Sequence, residues 1–154
     1  MGANAVNGVI NIITKNAKDT KGLYAEAAAG SSLPRLGSLR YGGKITDKIS
    51  YRVYGTGFKT ANTIDTFGKG ANDPWPMLQG GFRVDWDASE KDKLSLQGNI
   101  YNTHPRPDGD TSKSVHASGD NVTAAWNHTM NAQSGFQLQV YYDHTWRDFG
   151  KWVH

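Results

Sequence analysis

The side chains of this 154-residue chain best suited to metal or acid–base chemistry are its five histidines, His104, His116, His128, His144 and His154. Chelation from a helix needs two imidazoles on one helical face, or a motif with a nearby Glu. None of the five stands at such a spacing, so no metal centre is expected from them. Asp108-Gly109-Asp110-Thr111-Ser112 opens like a calcium loop. It lacks the Asp or Asn at the fifth position, the Gly at the sixth and the Glu at the twelfth that complete that geometry. Ser31, Ser32, Ser112 and Ser134 lie in turn-like stretches with no His/Asp framework, and no nucleophile elbow or close carboxylate pair is present. Gly42-Gly43 and Gly80-Gly81 are followed by no helix whose N-terminal amides could cradle a phosphate. They suit close approach of backbone, or a bend. The expectation is a chain that is not an enzyme and carries no cofactor.

The elements that must position these residues are strands. Hydrophobic residues make up 37% of the chain and the mean hydropathy is -0.62, too polar for a large conventional core. No apolar run approaches the ~18 residues of a membrane-crossing helix. With 18 Gly, 5 Trp and 7 Tyr and no helical periodicity, the composition suits a β-barrel with a wet interior, apolar on one side of each strand. The net charge of +3 is spread along the chain, without a basic cluster interleaved by stacking residues, so nucleic acid is not an expected partner. The absence of cysteine removes disulfides and thiolate chemistry.

Alternation predicts seven strands, at 23–30, 38–45, 49–59, 78–86, 94–101, 121–128 and 136–147. Phe136, Leu138, Val140, Tyr142 and Trp146 share one side of the last, with Gln137, Gln139, Tyr141, Asp143 and Arg147 on the other. The connections alternate in length. Those at 46–48, 87–92 and 131–135 are short and those at 60–76 and 102–118 long. A membrane barrel sorts its turns this way, short on the periplasmic side and long outside. Tyr51, Trp86 and Phe136 then fall near one edge of the apolar band and Trp146 near the other, as interfacial aromatics do.

The opening stretch is the most specific signal. Gly2-Ala3-Asn4-Ala5-Val6-Asn7-Gly8-Val9-Ile10-Asn11-Ile12-Ile13-Thr14-Lys15 is a Gly/Asn turn running into a β-branched strand, followed by a polar linker at 16–21. This string closely resembles the end of the plug domain of TonB-dependent outer-membrane receptors, where the plug hands over to the barrel. The resemblance implies an all-β chain: residues 1–21 as the end of the plug and its linker, and 22–154 as the N-terminal part of a transmembrane antiparallel barrel. It would supply about seven strands of a barrel of about 22. It implies location in the outer membrane and active uptake of a scarce ligand, a ferric siderophore above all, with vitamin B12 as another. The implied partners are outer-membrane lipid and the TonB energy-transducing complex, reached through a box that is absent here. Since Met1 falls inside the motif with no leader before it, the true beginning is expected upstream.

Within that resemblance, Gly2, Ala3, Asn4, Ala5, Asn7, Gly8, Val9, Ile10, Asn11, Ile12 and Thr14 are the plug-motif residues. Trp75, His104 and Arg106 are candidate ligand contacts in the two long loops, and Arg40, Arg52 and Arg83 face the lumen as partners for plug carboxylates. Two other architectures fit the alternation. One is a small closed barrel of eight strands, counting 9–13; the other is a soluble β-sandwich that binds carbohydrate through exposed aromatics.

Overall fold

The computed structural model describes residues 14–31, 35–64, 66–70, 73–104 and 115–148. Seven strands form one sheet: β1 (Gly22–Ala28), β2 (Arg35–Thr46), β3 (Ile49–Lys59), β4 (Pro76–Asp87), β5 (Asp92–Thr103), β6 (His116–Asn131) and β7 (Ser134–Asp148). Each pairs antiparallel with its sequence neighbours in the order β1-β2-β3-β4-β5-β6-β7, which leaves β1 and β7 as open edges. Every strand expected from the alternation is present. Several run further: β6 begins at His116 rather than near Asn121, and β2 at Arg35 rather than Ser38. The backbone ladder continues where the side-chain pattern fades, because N–H and C=O pair whatever side chain they carry.

Short polar side chains close the tight turns. Thr46 Oγ1 accepts from the amides of Lys48 (3.3 Å) and Ile49 (3.1 Å). Ser89 Oγ accepts from Lys91 (3.1 Å) and Asp92 (3.0 Å), and Asn131 Oδ1 accepts from Gln133 (2.9 Å). These are the local side-chain-to-backbone bonds that make Ser, Thr and Asn turn residues. Register shifts at Lys44/Thr46 and Thr129/Asn131 lie beside two of these turns.

The register sorts side chains into rows across the sheet. Ile49, Trp86, Leu94, Trp126 and Leu138 form one row, and Tyr51, Val84, Leu96, Ala124 and Val140 the next. Tyr41, Val53, Phe82, Gly98, Val122 and Tyr142 follow. This face is apolar and no other described residue covers it: Leu39 is 55%, Val140 63% and Ile100 65% exposed. Among the described residues the only buried apolar side chain is Ala17. No second layer meets the sheet to make a dry interior, so the described chain is a single-layer sheet and not a sandwich. The opposite face is polar, with Arg52, Arg83, Gln97, Thr123 and Tyr141 in one row.

The stretch expected as a plain linker has structure of its own. Ala17–Thr20 is one turn of 3-10 helix packed on the polar face against β2, β3 and β4. Thr20 Oγ1 donates back to the Ala17 carbonyl (3.1 Å), closing the turn. Gly42 makes the approach feasible, since a Cβ there would collide with the Thr20 carbonyl oxygen.

Candidate functional site

The polar face carries a built dock for the chain's own N-terminal segment. Arg83 forms an ion pair with Asp85 of the same strand (2.9 Å), the two side chains 13% and 17% exposed. Nη1 donates to Thr14 Oγ1 (2.8 Å) and Gln97 Oε1 (3.2 Å), and Nη2, which also holds Asp85, donates to Asn16 Oδ1 (3.1 Å). Asp85 accepts in turn from the Ala17 amide, and Arg52 donates to the Lys15 carbonyl (3.0 Å). Asp85 also offsets the repulsion between Arg52 and Arg83, which are direct cross-strand partners. A cavity of about 110 Å³ remains between the linker and the sheet, lined in part by Asn16, Lys18, Arg83, Asp85 and Lys93. It has room for a few ordered waters.

The arginines expected to face the lumen share the polar face, and their described contacts are with this chain. Arg83 takes its carboxylate from β4, and Arg52 holds a linker carbonyl. Arg40 lies 4.9 Å from the ring centroid of Tyr24, a cation–π contact, with its buried Nε lacking a hydrogen-bond partner. Beyond the dock a neutral network crosses four strands. Gln79 Nε2 donates to Tyr54 Oη (3.1 Å), Tyr54 Oη to Asn99 Oδ1 (2.7 Å), and Asn99 Nδ2 to Asn121 Oδ1 (2.9 Å). Gly81 floors it, because a Cβ there would strike Asn99 and the Tyr54 ring. Both glycine pairs singled out in the sequence therefore serve close packing on this face, at Gly42 and Gly81.

At the short-turn end, the apolar face finishes in a polar-tipped aromatic cluster. Trp126 and Phe136 meet edge to face at 5.1 Å, and His128 lies 5.3 Å from Phe136. Asp92 Oδ1 organises them, accepting from Trp126 Nε1 (2.9 Å) and lying 2.6 Å from His128 Nδ1. Asp92→Ala is expected to destabilise the chain, because it removes the shared acceptor of Trp126 and His128. A red-shifted tryptophan emission should accompany the lower denaturant midpoint.

The loop candidates fall out as follows. Trp75 directs its indole N–H to Thr103 Oγ1, while its backbone amide and carbonyl both bond Thr60. Its polar handle is thus used in tying the loop base to β5, and the residue as a whole is 47% exposed. His104 stacks on His116 with centroids 4.1 Å apart. Arg106 and the plug-motif residues Gly2, Ala3, Asn4, Ala5, Asn7, Gly8, Val9, Ile10, Asn11 and Ile12 lie outside the described residues; Thr14 sits in the dock.

The loop after β3 is stapled by Asp73. Its carboxylate accepts from Thr63 Oγ1 (2.6 Å) and the Thr63 amide (2.7 Å). The Thr63 hydroxyl bond is the main cause holding its pKa below the ordinary 3.8. A lowered carboxylate contributes above its unfolded pKa and loses that contribution as pH falls through the folded value. The Thr63 amide is therefore expected to be protected from exchange at neutral pH and to lose protection only below about pH 3.8, the unfolded value. Asp73→Asn should weaken protection at neutral pH and leave it little changed at the low pH where the native carboxyl is protonated.

Sequence reasoning missed the dock, the Asp92 cluster and the cross-strand imidazole pair. The first two rest on contacts between segments far apart in the chain, which no spacing rule encodes. No protein-family model, curated protein or solved structure matches the chain.

Proposed function

We propose that this chain is a segment of the wall of a TonB-dependent outer-membrane receptor, with the end of its plug domain leading into the sheet. The observation that carries the reading is the sidedness of a single sheet. One face is apolar and uncovered; the other is polar and holds the incoming linker. Hydrocarbon is the natural cover for the first face, and a water-filled lumen occupied by a plug is the natural surrounding of the second.

Two further features support it. Phe136 and Trp146 stand ten residues apart on β7, about 33 Å along the strand. At a tilt of about 40° that spans about 25 Å, the height of an outer-membrane apolar band between its aromatic girdles. The open edges β1 and β7 run in the same direction, seven strands being an odd number. An all-antiparallel closure therefore needs an odd number of further strands from elsewhere in the protein. About 15 would complete a 22-stranded barrel of the plugged type.

On this reading the lipid partner is the outer membrane and the energy source the TonB complex. The cargo is a scarce small molecule, a ferric siderophore ahead of vitamin B12. The protein should fractionate with outer membranes, and deletion of β1–β7 should abolish energy-dependent accumulation of ferric siderophore. Recovery from the soluble fraction, or uptake unchanged by the deletion, would overturn the assignment.

A further inference from the structure

We infer that His104 and His116 form a two-imidazole chelate for a divalent late first-row transition ion. This does not depend on the wall reading, since it stands on the β5–β6 ladder alone. Thr103 and Ala117 are direct cross-strand partners, and one further step of that register sets His104 opposite His116. Such a pair brings its Cβ atoms within about 5.5 Å. The rings lie 4.1 Å apart and only 10° from parallel.

Two nitrogens sharing a tetrahedral ion at about 2.05 Å each sit about 3.3 Å apart. To share an ion the stacked rings must tilt toward one another, so that their in-plane lone pairs converge. Imidazole is a preferred ligand of Cu2+, Ni2+ and Zn2+, with Cu2+ bound most tightly.

The second observation is an orphan. His116 Nε2 is buried and has no hydrogen-bond partner. A buried polar atom left unpaired calls for an explanation, and a lone pair held ready for a metal is one. The other imidazoles on this face are engaged, His128 with Asp92 and His144 with Asp120 (3.1 Å). Trp146 packs edge-on to His116 at 5.2 Å and limits its movement on the β7 side. Asp148 is the register partner of His116 on β7, placing an acidic residue next in the row. Among the described residues no group of three or more His, Asp or Glu is arranged to hold a metal.

The test is Cu2+ titration of the protein in detergent micelles, read by electron paramagnetic resonance and by competition with a chromophoric chelator. One Cu2+ per chain with two-nitrogen coordination is expected. His104→Phe and His116→Phe keep a ring in the stack while removing the ligand. Each should weaken binding about 10²-fold, the effective-concentration advantage of a second tethered ligand. His144→Gln should leave both spectrum and affinity unchanged. A spectrum preserved in the His104→Phe, His116→Phe double variant, or no stoichiometric Cu2+ binding, would overturn the assignment.

Discussion

Val122→Arg is expected to cost about 2–4 kcal/mol of stability in a bilayer, whereas Thr123→Arg, one residue along the same strand, should cost less than about 1 kcal/mol. Val122 belongs to the apolar row with Val53, Phe82 and Tyr142, in the middle of the sheet. Thr123 points to the opposite face, between Gln97 and Tyr141. A guanidinium at position 122 must snorkel, thin the bilayer or desolvate, and the penalty is largest near the midplane. At position 123 it meets a polar face. The contrast is specific to lipid: Val122 is already 41% exposed, so in water the same substitution forfeits little burial. Denaturant-induced release from vesicles, compared for the two variants, reads the difference.

The second large effect is at the dock. Asp85→Ala removes the partner of an Arg83 side chain that is only 13% exposed, and with it the acceptor for the Ala17 amide. Removing one member of a buried pair costs about 3–5 kcal/mol; with both groups partly solvated, about 2–3 kcal/mol is expected. Arg52 and Arg83 then face each other with no intervening carboxylate. Gly42→Val reaches the same end by sterics, driving a side chain into the Thr20 carbonyl. Both variants should free the linker, with trypsin cutting after Lys15 and Lys18 at least about tenfold faster, while the interior of the sheet stays protected. Unchanged cleavage would mean that the linker is held by something other than this cluster.

How much of this was legible in the chain differs by element. The seven strands were, because Leu78–Trp86 and Phe136–Arg147 alternate cleanly and Thr46, Ser89 and Asn131 mark the turns. The lengths of β2 and β6 were less so: Ser118, Gly119 and Asp120 carry no apolar alternation, yet their backbones extend the ladder. Arg40, Arg52 and Arg83 were placed together on the polar face by parity alone. Their partners were not, since Arg83 to Asn16 and Arg52 to Lys15 join residues 67 and 37 positions apart. The histidines show the same limit. A search for helical spacing passes over His104 and His116, which are twelve residues apart and meet only because the ladder folds back on itself. A search at cross-strand spacing around the loop after β5 would have found them.

As a segment of a receptor wall, the sheet should meet a different solvent on each face, lipid on one side and water on the other. Because the chain has no cysteine, single cysteines can be placed one at a time along β5, from Leu94 to Tyr101. Reactivity toward a membrane-impermeant maleimide in bilayers is predicted to alternate. Positions 95, 97, 99 and 101 should react, and 94, 96, 98 and 100 should be protected and instead quenched by lipid-borne nitroxide. Equal reactivity at both sets, or protection of the even set without quenching by lipid, would contradict it.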